Sequence, residues 1–182
     1  MNYILGSYNI FKTKIFTTDY STHVERIEPS IPWYHQYMHF YSPSNEIVND
    51  LFLGSSFNAY NLDELEQNKI NVIINVSNDI DNFYPKNFIY YKFNIADNNS
   101  DDISNILEES YNIITKNLEM GNIILVHCYM GASRSATVII YYLMRKYSIP
   151  YKIAKNIVIQ KRSIINLSVK FHNTLKNLSF IN

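Results

Sequence analysis

The sequence predicts an α/β fold in which a mixed β-sheet is flanked by helices. From residue 47 onward, short apolar runs rich in β-branched residues alternate with longer segments of helical character, as in domains whose sheet is covered by helices. The chain has 182 residues, of which 47% are hydrophobic and 18% charged, a composition typical of one domain with a substantial core. No internal repeat or low-complexity tract interrupts the alternation.

Short segments rich in β-branched and aromatic residues are predicted to be strands. The clearest is 123–126, a wholly apolar run that is typical of a strand buried on both faces. The predicted strands are residues 47–53, 71–77, 88–95 and 122–127.

The segments between and after these strands are predicted to be helices. Gly121 ends a long helix, and Pro150 fits the first turn of a later one. The segment that ends near residue 147 has neither glycine nor proline, and Arg145 and Lys146 place cations in its last turn. The predicted helices are residues 58–68, 103–120, 135–147, 150–161 and 168–179.

The chain has a single cysteine, Cys128, which follows the predicted strand 122–127 and precedes Arg134 by six positions. A strand, a tight loop and a helix N-terminus place successive backbone N–H groups around one point, which favours an anion there. A cysteine in such a position beside an arginine is activated as a thiolate nucleophile. The planar guanidinium of Arg134 can hold two phosphoryl oxygens. The spacing therefore predicts a phosphate-binding loop with Cys128 as its nucleophile.

Other residues of this segment have predicted supporting roles. Gly131 allows a positive φ and a close approach of the backbone to bound oxygens. The Ser135 hydroxyl can donate to the cysteine sulfur and help it leave, and His127 is expected to order the loop through an imidazole hydrogen bond. The predicted phosphate-binding loop consists, besides the nucleophile, of His127, Tyr129, Met130, Gly131, Ala132, Ser133 and Arg134.

Residues 127–135 read His-Cys-x-x-Gly-x-Ser-Arg-Ser, and this pattern resembles the signature loop of the cysteine-dependent protein tyrosine phosphatases, specifically the dual-specificity subclass. Residues 47–55 and 71–77 are similar to two strands of that family, so the resemblance covers roughly residues 43–180. It implies a three-layer fold of the cysteine-phosphatase type. It also implies hydrolysis of phosphomonoesters through a phosphocysteine intermediate, with no metal and no cofactor.

The resemblance further implies a general acid on a loop that precedes the signature loop and follows a strand. Asp97 stands at the matching place after the predicted strand 88–95, and is the predicted acid and, in the second step, the base. Asp101 and Asp102 are the alternatives, although they lie where acidic residues ordinarily cap the next helix.

Uncharged side chains at the variable loop positions bear on the substrate. Related phosphatases that act on phosphoinositides or RNA 5′-phosphates tend to carry basic residues there, whereas this loop has Tyr129, Met130, Ala132 and Ser133. Tyr129 is also a candidate to line the pocket entrance. A phosphoprotein bearing phosphotyrosine or phosphoserine/threonine, bound in a shallow site, is the predicted substrate. An RNA 5′-phosphatase, a phosphoinositide phosphatase and a weakly active phosphoprotein-binding module remain alternatives.

Residues 1–42 are predicted to be an N-terminal extension to a catalytic domain of residues 43–182. We expect the extension to pack on the domain or on a partner, and in viral members of the family such extensions can form a homodimer. His35 and His39 have the spacing of helical metal ligands, but no accompanying Glu or Cys pattern supports a metal site.

Composition limits the remaining function classes. The net charge is zero, so no broad electrostatic field favours nucleic acid or an anionic membrane. One cysteine excludes an intramolecular disulfide, and neither a signal peptide nor a membrane-spanning run is recognisable. These features predict a reducing, cytoplasmic setting. The bias toward Asn, Ile, Lys and Tyr suggests an AT-rich genome such as that of a protist or a large virus, in which case the setting is an infected host cell or a virion.

Overall fold

The computed structural model of the protein describes residues 24–28, 32–98 and 101–178. Its strands are β1 (Asn45–Val48), β2 (Leu51–Gly54), β3 (Val72–Asn75), β4 (Ile89–Lys92) and β5 (Ile124–His127). They form one sheet in the order β1-β2-β5-β3-β4. The β1 strand is antiparallel to β2, whereas β2, β5, β3 and β4 run parallel to one another. The predicted mixed sheet is therefore confirmed.

Helices cover both faces of this sheet because neighbouring residues of its central strands point into different cores. Ile74 and Val126 belong to the larger core, whereas Ile73 and Leu125 belong to the smaller one on the other face. The larger core is covered by α4 (Ser104–Glu119), α5 (Arg134–Tyr147), α6 (Tyr151–Lys161) and α7 (Val169–Lys176), and the smaller one by α2 (Ser56–Tyr60) and α3 (Leu62–Gln67). A further helix, α1 (Trp33–Tyr41), precedes the sheet. The three-layer arrangement is confirmed.

The prediction of one strand over residues 47–53 was wrong. The chain turns at Asn49 and Asp50, and β1 and β2 on either side pair as a hairpin. Asp50 takes a φ of 63°, a left-handed conformation that Asp and Asn tolerate better than most residues. Apolar residues continue on both sides of the turn, and this continuity concealed the break.

The predicted helix 58–68 is also divided, into α2 and α3. Asn61 lies between them, and its side chain accepts a hydrogen bond from the amide of Glu64 at 3.4 Å, which caps the start of α3. The predicted strands are longer than β3, β4 and β5, whereas the long helices agree closely with α4, α5 and α6. Pro150 is the N-cap of α6 and not part of its first turn.

Of the predicted extension, residues 1–23 and 29–31 lie outside the described residues. Residues 24–28, termed here the N-terminal strap, contact the chain around the start of α7. The amide of Ile27 donates to the carbonyl of Leu167 at 3.3 Å, and the amide of Val169 donates to the carbonyl of Glu25 at 2.8 Å. No helix in the described part of the chain is long and apolar enough to cross a membrane.

Candidate active site

The segment 127–133 begins with the last residue of β5 and continues as a loop at the carboxyl edge of the sheet to the start of α5. Gly54 of β2 and Asn75 of β3 both pair with His127, so the carboxyl ends of three parallel strands meet at this loop. In α/β sheets the crevice beyond such strand ends is where ligands bind. The amino end of α5 faces the same point, which favours a bound anion.

The backbone carbonyls of this loop are turned outward because donors of the surrounding scaffold hold them. Four backbone amides donate to four of these carbonyls at 2.8 to 2.9 Å. The pairs are Val76 to His127, Ser56 to Tyr129, Asn166 to Ala132 and Thr137 to Ser133. Since the carbonyl and the N–H of one peptide plane point in opposite directions, this arrangement turns the loop amides toward its centre. The loop is thus shaped to surround an anion before one binds.

Arg162 of the segment after α6 holds two further loop carbonyls. Its Nε donates to the carbonyl of Gly131 at 2.8 Å, and its Nη2 donates to that of Met130 at 3.1 Å. Nη1 donates to Asn45 Oδ1 at 2.9 Å, and the residue is buried. Burial lowers the pKa of Arg162 to about 10, and its electrostatic interaction with Cys128 opposes this shift. The guanidinium is therefore charged at neutral pH.

Cys128 lies at the base of the loop and is 2% exposed. Its Sγ accepts a hydrogen bond from the amide of Gly131 at 3.3 Å and one from the Ser135 hydroxyl at 3.2 Å. Both donors stabilise negative charge on sulfur. The three residues that the sequence assigned to nucleophile, turn and leaving-group assistance are thus in direct contact.

Gly131 has a φ of 68° and lies against the backbone of β2. A Cβ at this position would lie 2.4 Å from the carbonyl oxygen of Gly54. The positive φ and the close approach both require glycine.

His127 is completely buried beneath the loop. Its Nδ1 is 3.3 Å from the carbonyl oxygen of Cys128, which can only accept, so Nδ1 carries the proton. Its Nε2 has no hydrogen-bond partner among the described residues. Burial lowers the pKa of His127 to about 4, and the charge of Arg134 contributes to the shift. The ring is therefore neutral at physiological pH and contributes the hydrogen bond that the sequence predicted.

Arg134 is the first residue of α5, and its side chain is 4% exposed. Its Nη1 donates to Asp79 Oδ1 at 2.8 Å and to the carbonyl of Ile95 at 3.1 Å. The loop that carries Asp79 is itself held, because Asn75 Nδ2 donates to the carbonyl of Ile80 at 2.8 Å. These contacts fix the orientation of the guanidinium.

Asp97, on the loop after β4, contacts the signature loop directly. The Ser133 hydroxyl donates to Asp97 Oδ1 at 3.1 Å. An ion pair with Arg26 of the N-terminal strap has an Nη2–Oδ2 distance of 3.0 Å, and the Asp97 side chain is 13% exposed. The predicted acid therefore lies beside the predicted phosphate site.

The alternatives, Asp101 and Asp102, bond to backbone amides. Asp102 Oδ1 accepts from the amide of Ser104 at 3.0 Å at the start of α4, the capping role that the sequence suggested. Hydrogen bonds with Ser104 lower the pKa of Asp102. Asp101 Oδ2 instead accepts from the amide of Ala96 at 2.7 Å and so braces the loop that carries the predicted acid.

Sequence reasoning missed three residues of this site: Asp79, Arg26 and Arg162. Arg162 lies between two polar residues, Lys161 and Ser163. Its immediate neighbours therefore gave no local signal that this arginine is buried.

The structure also corrects the expectation that Tyr129 lines the pocket entrance. Its ring is 4% exposed and lies against Phe40 of α1, with ring centroids 5.5 Å apart. Tyr129 contributes its backbone to the loop and its side chain to the core.

Comparison with known proteins agrees with this geometry. A family model described as the dual specificity phosphatase catalytic domain matches residues 51–179. A protein phosphatase Slingshot homolog of Xenopus laevis is 38% identical over 132 residues, which cover 72% of this chain and 19% of the relative. The human protein phosphatase Slingshot homolog 1 is 40% identical over 129 residues, covering 71% of this chain and 12% of the relative. The chain therefore spans less than a fifth of the length of these curated relatives.

Among solved structures, the human tyrosine phosphatase-like serine/threonine/tyrosine-interacting protein is similar, with a TM-score of 0.70 and 31% identity. The alignment covers 74% of this chain and 93% of that one. The family match extends over most of the chain and contains the loop, its supporting strands and Asp97. This protein belongs to the family of dual-specificity phosphatase catalytic domains.

Proposed function

We propose that the protein hydrolyses phosphotyrosine and phosphoserine/threonine in proteins through a phosphocysteine intermediate. The observation that carries this proposal is the signature loop, whose carbonyls are held outward around the sulfur of Cys128. Residues 43–182 would form the catalytic domain, with residues 1–42 as its extension.

In the first step, the Cys128 thiolate attacks phosphorus and forms a P–S bond as the P–O bond to the substrate breaks. Arg134 and the loop amides bind the non-bridging oxygens and stabilise their charge in the transition state. Asp97 gives its proton to the departing alkoxide or phenoxide. The contact of Asp97 with Ser133, next to Arg134 in the chain, supports this role.

In the second step, water attacks the phosphocysteine, and Asp97, now ionised, accepts a proton from that water. The P–S bond breaks, inorganic phosphate forms, and Cys128 departs as a thiolate. The hydrogen bond of 3.2 Å from the Ser135 hydroxyl to Sγ supports a role for Ser135 in stabilising that leaving group.

The surroundings of the loop favour a phosphoprotein over a polyanionic substrate. Tyr129 and Met130 belong to an apolar cluster that also contains Phe40 and Ile80. Loop side chains that pack in this way add no positive charge for the further phosphates of an inositide or a triphosphate-ended RNA. We therefore retain those two substrate classes only as outcomes of the experiment below.

A phosphoprotein-binding module is the second candidate. One observation favours it: the similar human structure is described as a tyrosine phosphatase-like, interacting protein. A binding module and an enzyme share the phosphate loop, so only turnover separates them.

The cytoplasmic setting, in a cell or a virus-infected host, and a homodimer formed through residues 1–42 are further parts of the proposal. The nucleophile is the only thiol of the chain, so it has no internal disulfide partner to protect it, which supports a reducing environment.

The experiment measures hydrolysis of p-nitrophenyl phosphate, phosphotyrosyl and phosphoseryl peptides, an inositide and triphosphate-ended RNA. The full chain is assayed in reductant and chelator, beside Cys128→Ser, Asp97→Asn and Asp102→Asn. We expect peptide turnover that Cys128→Ser abolishes and that Asp97→Asn lowers by about 10²-fold or more. Asp102→Asn, an equivalent change at a nearby exposed carboxylate, should have little effect. Phosphopeptide binding without turnover by a folded, reduced wild type would favour the binding module, and preferred turnover of RNA or inositide would replace the substrate class.

A further inference from the structure

Of the residues that the structure describes, two from different segments hold the side chain of Asp97. The Ser133 hydroxyl donates to Oδ1 at 3.1 Å. Arg26 faces the carboxylate with both terminal nitrogens, Nη1 at 3.3 Å from Oδ1 and Nη2 at 3.0 Å from Oδ2. A single hydrogen bond to Ser133 would leave the carboxylate free to rotate, whereas a two-pronged contact fixes its plane.

The N-terminal strap is itself anchored to the domain, and these contacts hold Arg26 in position beside Asp97. Arg26 Nη1 donates to the carbonyl of Asn166 at 3.3 Å, and the Asn166 side chain bonds to both the amide and the carbonyl of Glu28. Glu28 also pairs with Lys155 of α6 at 3.3 Å.

The segment that anchors the strap also supports the signature loop. The amide of Asn166 donates to the carbonyl of Ala132, and the amide of Ser168 donates to the Ser133 hydroxyl oxygen at 3.4 Å. Arg26 forms an isolated β-bridge with Ser168. The N-terminal strap and the signature loop are thus both anchored to one short stretch of chain, residues 166–168. Asp97 is held by one residue of each, Arg26 and Ser133.

The contacts also leave room for the proton that Asp97 would transfer. A carboxylate has about four acceptor positions. Arg26 and Ser133 together occupy two positions on Oδ1, and Arg26 occupies one on Oδ2. Counting the described residues alone, the remaining position is on Oδ2, which makes it the oxygen suited to carry the proton.

We propose that Arg26 is a positioning residue that holds Asp97 over the signature loop with Oδ2 as its acidic oxygen. This inference rests on the proposed function, because it takes Asp97 as the general acid. Arg26 lies outside residues 51–179, which the family model matches, so the strap adds a support for the acid from beyond that domain. Rates of proton transfer depend steeply on such placement.

The test compares substrates that need the acid to different degrees. Phenyl phosphate has a poor leaving group and depends on protonation, whereas p-nitrophenyl phosphate has a good one. The full-length wild type, Arg26→Gln, Arg26→Lys and Asp97→Asn are assayed for kcat and KM on both, with thermal unfolding as the check on folding. Arg145→Gln is the control, since it breaks another arginine–carboxylate pair, an exposed one with Glu108, on α5 away from Asp97.

We expect Arg26→Gln to lower kcat for phenyl phosphate by about tenfold or more and kcat for p-nitrophenyl phosphate by less than about threefold, with KM nearly unchanged. Arg26→Lys should recover part of the loss, because an ammonium supplies one contact but no fork. In the Asp97→Asn background, Arg26→Gln should add nothing, since the two residues act together.

An equal loss on both substrates would give Arg26 a structural role only. Unchanged phenyl phosphate hydrolysis would mean that Arg26 does not position the acid, and faster hydrolysis would mean that Arg26 hinders it. Each of these results overturns the inference. They leave the proposed function intact provided that Asp97→Asn itself shows the selective loss. A folded wild type that hydrolyses neither substrate, or an Asp97→Asn variant with no selective loss, overturns both the proposed function and the role of Arg26.

Discussion

Replacing Arg162 with methionine removes a buried cation while keeping much of the side-chain volume. The change deletes the hydrogen bonds to the carbonyls of Gly131 and Met130 and to the Asn45 side chain. At about 2 kcal/mol for each bond from a charged donor, the loss is roughly 6 kcal/mol. Part of it is recovered, because a pKa lowered from 12.5 to about 10 means that burying the charge costs about 3 kcal/mol. The net expected destabilisation is therefore about 3 kcal/mol.

The same change should damage the phosphate site. Carbonyls that Arg162 no longer holds can rotate toward the centre of the loop, where they repel an anion and withdraw an amide donor. We expect kcat/KM for p-nitrophenyl phosphate to fall roughly 10²-fold and the inhibition constant of inorganic phosphate to rise by about tenfold or more. Arg162→Lys should be intermediate, because an ammonium reaches one carbonyl but does not reproduce the fork.

The assay for Arg162→Met combines urea unfolding at pH 7 with phosphate inhibition. Arg145→Met serves as the control, because Arg145 is 44% exposed and its pair with Glu108 has an N–O distance of 3.8 Å, so its loss should change stability little. Wild-type stability together with wild-type phosphate affinity in Arg162→Met would refute the view that this residue holds the loop open.

Three further predictions concern the signature loop. Gly131→Ala should lower the free energy of unfolding by about 2–4 kcal/mol, since it combines a left-handed φ with a close backbone contact. The control Gly121→Ala, at a φ of 77° with nothing within 4 Å, should show only the cost of the φ. Equal losses of stability in thermal unfolding would contradict the argument from the contact. His127 has a folded-state pKa of about 4 against 6.5 when unfolded, so it contributes stability above pH 6.5 that is lost as the pH falls toward 4, up to about 3 kcal/mol. In urea unfolding at several pH values, His127→Gln should lose less stability over this interval, and an unchanged profile would rule out a neutral buried ring. With phenyl phosphate, Ser135→Ala should lower kcat by about tenfold or more and produce a burst of phenol as phosphocysteine accumulates. The reason is that Cys128 loses the hydroxyl that stabilises it as a leaving group. A fall in kcat without a burst would place the effect in the first step.

Much of the proposed chemistry follows from the sequence because the residues that would carry it lie close together along the chain. A strand, a loop and a helix that follow one another along the chain must place Cys128, Gly131 and Arg134 around one point, whatever surrounds them. The fold class was predictable for a similar reason, since the alternation of strand and helix patterns limits the sheet to a few topologies. The break at Asn49 and Asp50 was missed because apolar residues continue on both sides of it.

The sequence by itself determined the α/β architecture and singled out Cys128 and Arg134 as the proposed nucleophile and phosphate-binding arginine, because each follows from local spacing and periodicity. Only the tertiary structure decided what supports them. Arg26 meets Asp97 across 71 positions of sequence, and Arg162 meets Gly131 across 31. No periodicity records such pairs, since they depend on the strand order and on how α6 and the segment before α7 pack against the loop. Contacts between residues far apart in sequence arise from the packing of the whole chain, so a local sequence pattern does not predict them.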